Sequence, residues 1–154
     1  MKQKIVVFIM ALVLFVTGSC ITSVNAYAAE SSTDVDISEI WTEDALIGYA
    51  TLQTRGIYLV DGLSIINDAG NDKIGAGGIT NAAIRCTVSV NAIVEQKVSG
   101  SWTRLNSWTA TNTNALTAGV SKTISVDSGY YYRVRSVHRA STDGSSSCTD
   151  ALRM

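Results

Sequence analysis

The chain is predicted to be all-β, an antiparallel β-sandwich of about 7–8 short strands, with a small β-barrel as the alternative. Three observations predict it. After Thr54, short runs of β-branched and aromatic residues are separated by Gly, Asn, Asp and Ser. One of these runs, Arg85 to Gln96, alternates, with Cys86, Val88, Val90, Ala92 and Val94 on one face and Thr87, Ser89, Asn91 and Glu95 on the other; Ile93 interrupts the pattern. No segment after residue 54 carries a convincing helical period, and the 154 residues include no proline, so no X-Pro isomerisation slows folding.

Residues 1–28 read as a secretory signal peptide. Lys2 and Lys4 form a basic start, Ile5 to Val16 an apolar stretch, and small polar residues follow from Thr17. The apolar stretch is about 12 residues long, short of the roughly 20 that a membrane-crossing helix needs, so no permanent membrane span is expected. Ala26-Tyr27-Ala28 places small residues for cleavage after Ala28, and Ala26 and Ala29 offer neighbouring sites. Thr17-Gly18-Ser19-Cys20 resembles a degenerate lipobox, which would make Cys20 a lipidation site, although Thr17 stands where that motif wants Leu or Val. The expected product is a secreted, extracellular protein, free or held at the cell surface.

Cleavage leaves a length suited to one domain. The whole chain has 12 Lys and Arg against 13 Asp and Glu, and loss of Lys2 and Lys4 makes it more acidic. That balance argues against a nucleic-acid partner, which calls for a basic excess. Residues 29–54 form an acidic N-terminal arm. Glu30, Asp34, Asp36, Glu39, Glu43 and Asp44 occur there with no Lys or Arg among them, which suits a solvated segment with room for a short helix between Ile37 and Ile47.

The β domain is then residues 55–154. Its expected strands are Gly56 to Val60, Leu63 to Asn67, Lys73 to Thr80, Arg85 to Gln96, Ser101 to Trp108, Val120 to Val126, Tyr130 to Arg139 and Cys148 to Leu152. Asp61-Gly62, Ala69-Gly70-Asn71-Asp72, Ser99-Gly100, Asp127-Ser128-Gly129 and Asp143-Gly144 supply turn residues that tolerate positive φ. Trp102 and Trp108, six apart on one strand, should share a face, one or both of them in the core. After signal removal only Cys86 and Cys148 remain, an even pair in an oxidising compartment, so a Cys86–Cys148 disulfide is expected. Closing a loop of about 60 residues, it would contribute roughly 4 kcal/mol in the chain-entropy picture.

The segment Ser99-Gly100-Ser101-Trp102-Thr103-Arg104-Leu105-Asn106-Ser107-Trp108, followed by Ser128-Gly129-Tyr130-Tyr131-Tyr132-Arg133-Val134-Arg135-Ser136-Val137-His138, resembles a group of small exported β-rich proteins of Gram-positive bacteria with no assigned function. The likeness spans roughly Gly56 to Leu152, and its most specific part is Gly-Tyr-Tyr-Tyr-Arg-Val with His following; Ser136 departs from the Gly more usual there. It implies export and a β-rich fold, and brings no catalytic residues with it.

Few constellations could carry chemistry, and no cofactor is expected. His138 is the only histidine, so a histidine-rich zinc site is excluded and any triad must be built around it. Asp68, Asn71 and Asp72 lie in a Gly- and Asp-rich stretch resembling one turn of a calcium-binding nonapeptide. A single copy lacks half the ligands, and a hairpin turn is the simpler reading. Tyr131, Arg133 and Arg135 fall on one face of a strand and could engage an anionic polymer or stack on sugar rings, against the alternative of a solvated outer face. Together these observations favour a non-enzymatic extracellular binding module for cell wall, glycan or protein. A secreted antagonist or toxin-like protein is the alternative, and a hydrolase using His138 the third reading.

Overall fold

A computed structural model describes residues 36–50 and 56–154 of the chain. The predicted signal peptide, its cleavage positions and Cys20 lie outside the described residues. The described residues form seven strands and no helix: β1 (Leu46–Tyr49), β2 (Leu59–Asp68), β3 (Lys73–Val98), β4 (Ser101–Ser125), β5 (Tyr131–Ala140), β6 (Asp143–Cys148) and β7 (Leu152–Arg153). Every pairing is antiparallel.

One sheet is wrapped into a nearly closed, barrel-like form by the bending of β3. Its first half pairs with β2 through positions such as Leu63 with Ile79. Its second half pairs with β5, from Val88 with Ala140 to Gln96 with Tyr132. Register shifts between Asn81 and Val88 mark the change of partner, the local kink and added twist that bulges provide. β4 follows β3 along both halves, β1 flanks β2, and β6 flanks β5. The outer strands meet where the Cα of Gly48 abuts the Cys148 carbonyl so closely that a Cβ would overlap it.

The interior is filled from both halves. Ile66, Ile74 and Ala76 pack with Ala92, Val94, Tyr132 and Val134. A second cluster holds Ala82, Val88, Ala118 and Ala140. Full burial of a Val or Ile side chain contributes about 1.5–3 kcal/mol, so this shared interior holds the two halves together.

Several predicted elements are corrected. Lys73 to Thr80 and Arg85 to Gln96 are one strand, as are Ser101 to Trp108 and Val120 to Val126. No residue between them reverses the chain, and the irregularity is absorbed by bulges. Asp61-Gly62 is not a turn but lies inside β2, where Gly62 leaves room for the His138 ring. Asp143-Gly144 opens β6; the reversal falls just before it, with Ser141 at φ 52°. Cys148 ends β6, and the last strand is Leu152–Arg153. The Ser99-Gly100 hairpin has φ of 50° and 84°, as a tight two-residue turn requires.

The arm carries no helix between Ile37 and Ile47. A single turn, closed by the Ile40 and Trp41 amides donating to the Ile37 carbonyl, precedes β1. Ile40 is fully buried against Gly75 and Gly77, so this part of the acidic arm is docked on β3.

Trp102 and Trp108 do not share a face. Val94 pairs with Asn106 while Glu95 pairs with Arg104, leaving Leu105 as an extra residue in β4. That bulge reverses the alternation between the two rings. Trp108, opposite Ala92, packs on the core, whereas Trp102, opposite Lys97, lies on the outer face.

Candidate functional site

The outer face of β5 is built by alternation. Tyr132, Val134, Ser136, His138 and Ala140 are buried, which turns Tyr131, Arg133 and Arg135 outward. Beside them on β3 stand Ile93, Glu95 and Lys97, on β4 Trp102 and Arg104, and on β7 Arg153. The structure therefore brings together the three predicted residues and adds neighbours from three other strands.

Glu95 organises the face. Its carboxylate accepts from Arg133 Nε at 2.7 Å through one oxygen and from Arg135 Nε at 3.2 Å through the other. The Glu95 side chain is only 10% exposed, against 27% for Arg133 and 42% for Arg135, so the carboxylate sits beneath the cations it holds. The Arg133 guanidinium also lies over the Trp102 ring, 4.2 Å from its centroid, with Lys97 Nζ 5.8 Å from the same centroid. On the far side, the Arg153 guanidinium lies 5.9 Å from the Tyr131 ring centroid. Arg104 pairs in register with Glu95 and donates to the Ser107 hydroxyl. Ile93, paired in register with Arg135, is buried although it faces outward, as apolar surface beneath long Arg stems can be.

Lys97, Arg104, Arg133, Arg135 and Arg153 make this face the main concentration of positive charge among the described residues. Glu95 is the one carboxylate that the registers place among them. Sequence reasoning found the β5 residues and missed Glu95, Lys97, Arg104 and Arg153. The signal for Glu95 was its place on the polar face of the alternating strand, but only strand register reveals that β3 and β5 are neighbours.

His138 faces the interior. It is fully buried, and its Nδ1 lies 2.8 Å from Thr80 Oγ1 and its Nε2 2.7 Å from Ser147 Oγ. The Thr80 hydroxyl donates to the Ser89 carbonyl, which leaves its oxygen to accept from an Nδ1 proton. Ser64 Oγ bridges Ser147 at 2.6 Å and Ser136 at 2.8 Å. Burial pushes the His138 pKa down to about 4, against the opposing pull of the Asp61 carboxylate. The Ser147 and His138 contact has the length of a nucleophile and base pair, but both side chains sit in the core as part of a hydroxyl network.

Asp68, Asn71 and Asp72 lie in the β2–β3 hairpin. Gly70, Asn71 and Asp72 take φ of 72°, 54° and 54°, and the Asp68 carboxylate accepts from the Gly70 amide at 2.7 Å. Among the described residues no group of three or more His, Cys, Asp or Glu could hold a metal ion.

The predicted disulfide is corrected: Cys86 and Cys148 are both free thiols. Cys86 pairs with Ala115 beside the β3 bend, whereas Cys148 pairs with Arg135, itself level with Ile93. About seven residues of β3 separate those levels, roughly 23 Å at 3.3 Å per residue, far beyond the 7 Å limit on bridged Cα atoms.

A further cavity of about 170 Å³ is lined by Gln96, Leu105, Ser125, Val126, Asp127 and Tyr132. The Tyr132 hydroxyl there donates to the Asp127 carbonyl at 2.7 Å and accepts from the Gln96 amide at 3.1 Å. The Leu105 bulge thus serves twice, turning Trp102 outward and walling this cavity.

No curated protein matches the chain. A family described as being of unknown function, DUF6147, matches residues 18–153, which takes in every described strand. The chain belongs to that family.

Proposed function

We propose that this protein is an exported, non-enzymatic binding module that holds an anionic partner, in the cell wall, on a glycan or on another protein, against the outer face of β5. The carrying observation is Arg133, fixed between the Glu95 carboxylate and the Trp102 ring, with Arg135 held by the same carboxylate. Two guanidinium groups whose positions are set before binding lose less entropy on contact than free side chains do. Export is supported by the basic, apolar and small-residue order of the N-terminus. The non-enzymatic reading is supported by the lone histidine, whose two ring nitrogens are both engaged inside the core.

The test is binding of the purified chain to an array of glycans and cell-wall fractions beside an Arg133→Ala/Arg135→Ala variant. Binding by the wild type that is lost in the double variant supports the reading. Equal binding by both proteins, or none by either, overturns it.

A further inference from the structure

We infer that the occupant of this face is a ring-free phosphodiester polymer, a polyol phosphate, whose oxyanions bridge Arg133 and Arg135 while Glu95 acts as the positioning residue. This rests on the binding-module reading and names its ligand class.

Both aromatic rings of the face have a cation over them, Trp102 closely and Tyr131, which keeps 44% exposure, more loosely. Trp102 carries the Arg133 guanidinium and Lys97, and Tyr131 carries Arg153. A sugar or a nucleic-acid base would need one of those flat surfaces for stacking. With cations over them, the rings serve as rigid backing for charge, and what the face offers a ligand is hydrogen-bonded positive charge.

The chemistry of the charge narrows the partner further. Glu95 takes the Nε of each arginine, and no hydrogen bond among the described residues uses their η nitrogens. Two forks held by one carboxylate therefore present η N–H donors side by side. A carboxylate presents its acceptor sites in one plane, whereas those on the two non-bridging oxygens of a phosphodiester spread out of plane around a tetrahedral phosphorus, so that one group can take η donors from both forks. Further cations stand on β4 and β7, so positive charge extends across four strands, roughly 14 Å at 4.8 Å per strand. That spread suits a chain of repeated charges better than a single anion. A flexible polyol phosphate has repeated tetrahedral anions and no rings to stack.

The experiment is calorimetric titration of the purified full chain with poly(glycerol phosphate), polyglutamate, dextran sulfate and oligo(dT), matched in charge concentration. Poly(glycerol phosphate) should bind at least about tenfold more tightly than the other three. Arg133→Lys/Arg135→Lys keeps the charge and removes the forks, and should lose about tenfold. Glu95→Gln is the decisive variant because it makes the face more positive. A face acting only by net charge would bind poly(glycerol phosphate) more tightly, whereas loss of positioning weakens it. Thermal melts accompany each variant, and the lysine pair, being on the surface, keeps the test open should Glu95→Gln fail to fold. Equal or tighter binding of polyglutamate, dextran sulfate or oligo(dT), or tighter binding in Glu95→Gln, overturns the polyol-phosphate assignment. If the Arg133→Ala/Arg135→Ala variant still loses binding to the array in that case, the module reading stands without it.

Discussion

His138 Nδ1 lies 2.8 Å from the Thr80 hydroxyl, and the ring on which it sits is closed to solvent. Desolvation holds the folded pKa near 4, while an unfolded histidine takes its proton near 6.5. The folded state favours the neutral ring, so its stabilisation is complete above the unfolded value and is lost as pH falls through the window toward 4. Urea unfolding at pH 7 and pH 4.5 should differ by about 2–3 kcal/mol from this group. The Asp143 carboxylate, lowered below 3.8 chiefly by the backbone amides of Tyr58 and Leu59, acts below that window. A His138→Asn variant that folds should show a much flatter profile, and a flat profile in the wild type would contradict the buried neutral ring.

Gly62 faces that same ring, and a Cβ there would overlap its carbon and nitrogen atoms. The ring cannot swing aside without giving up its bonds to Thr80 or Ser147, each buried and each costing about 1–3 kcal/mol if left unmade. Gly62→Ala should therefore lower stability by more than about 2 kcal/mol, measured by denaturant midpoint, although alanine is ordinarily the better strand residue. A neutral effect would mean that β2 can shift away from β5.

Much of the fold was legible in local pattern. The strand character of residues 56–154, the inward alternation of β5 and the Ser99-Gly100 hairpin all follow from residue type and period, which are properties of neighbouring residues in the chain. What was illegible depends on pairing. Asp61-Gly62 carries turn chemistry, but its glycine is selected by the His138 ring from β5. The two tryptophans read as one face because an even spacing conceals an extra residue, visible only when Glu95 is seen to pair with Arg104. Only part of the candidate face was legible for the same reason. Tyr131, Arg133 and Arg135 share a strand, while Glu95, Trp102 and Arg153 join them only through register.

Cys86 and Cys148 give the sharpest conflict between sequence and geometry, since the export proposed for this chain predicts a bond and register holds the thiols apart. Alkylation of the native protein followed by peptide mass analysis should label Cys148 first, because it is exposed, and Cys86 more slowly. Added reductant should leave the melting temperature unchanged within about 1 °C, since no bridge constrains the unfolded chain. A digest containing a linked Cys86–Cys148 peptide would show that β3 and β6 do not hold the register described.

Trp102 and Trp108 test the Leu105 bulge directly, because the two rings differ in surroundings while sharing residue type and strand. Trp108 packs against the cluster of Ile66, Val94 and Tyr132, so Trp108→Ala removes core contacts and leaves a void. That substitution should cost at least about 2 kcal/mol in urea unfolding. Trp102 is backing for Arg133 on an open face, and an exposed cation–π contact contributes about 0.5–1 kcal/mol. Trp102→Ala should cost no more than about 1 kcal/mol in stability and should instead release Arg133, weakening binding to anionic polymer. Equal stability losses in the two variants would place both rings on one face, and the register across Val94 and Glu95 would then be wrong.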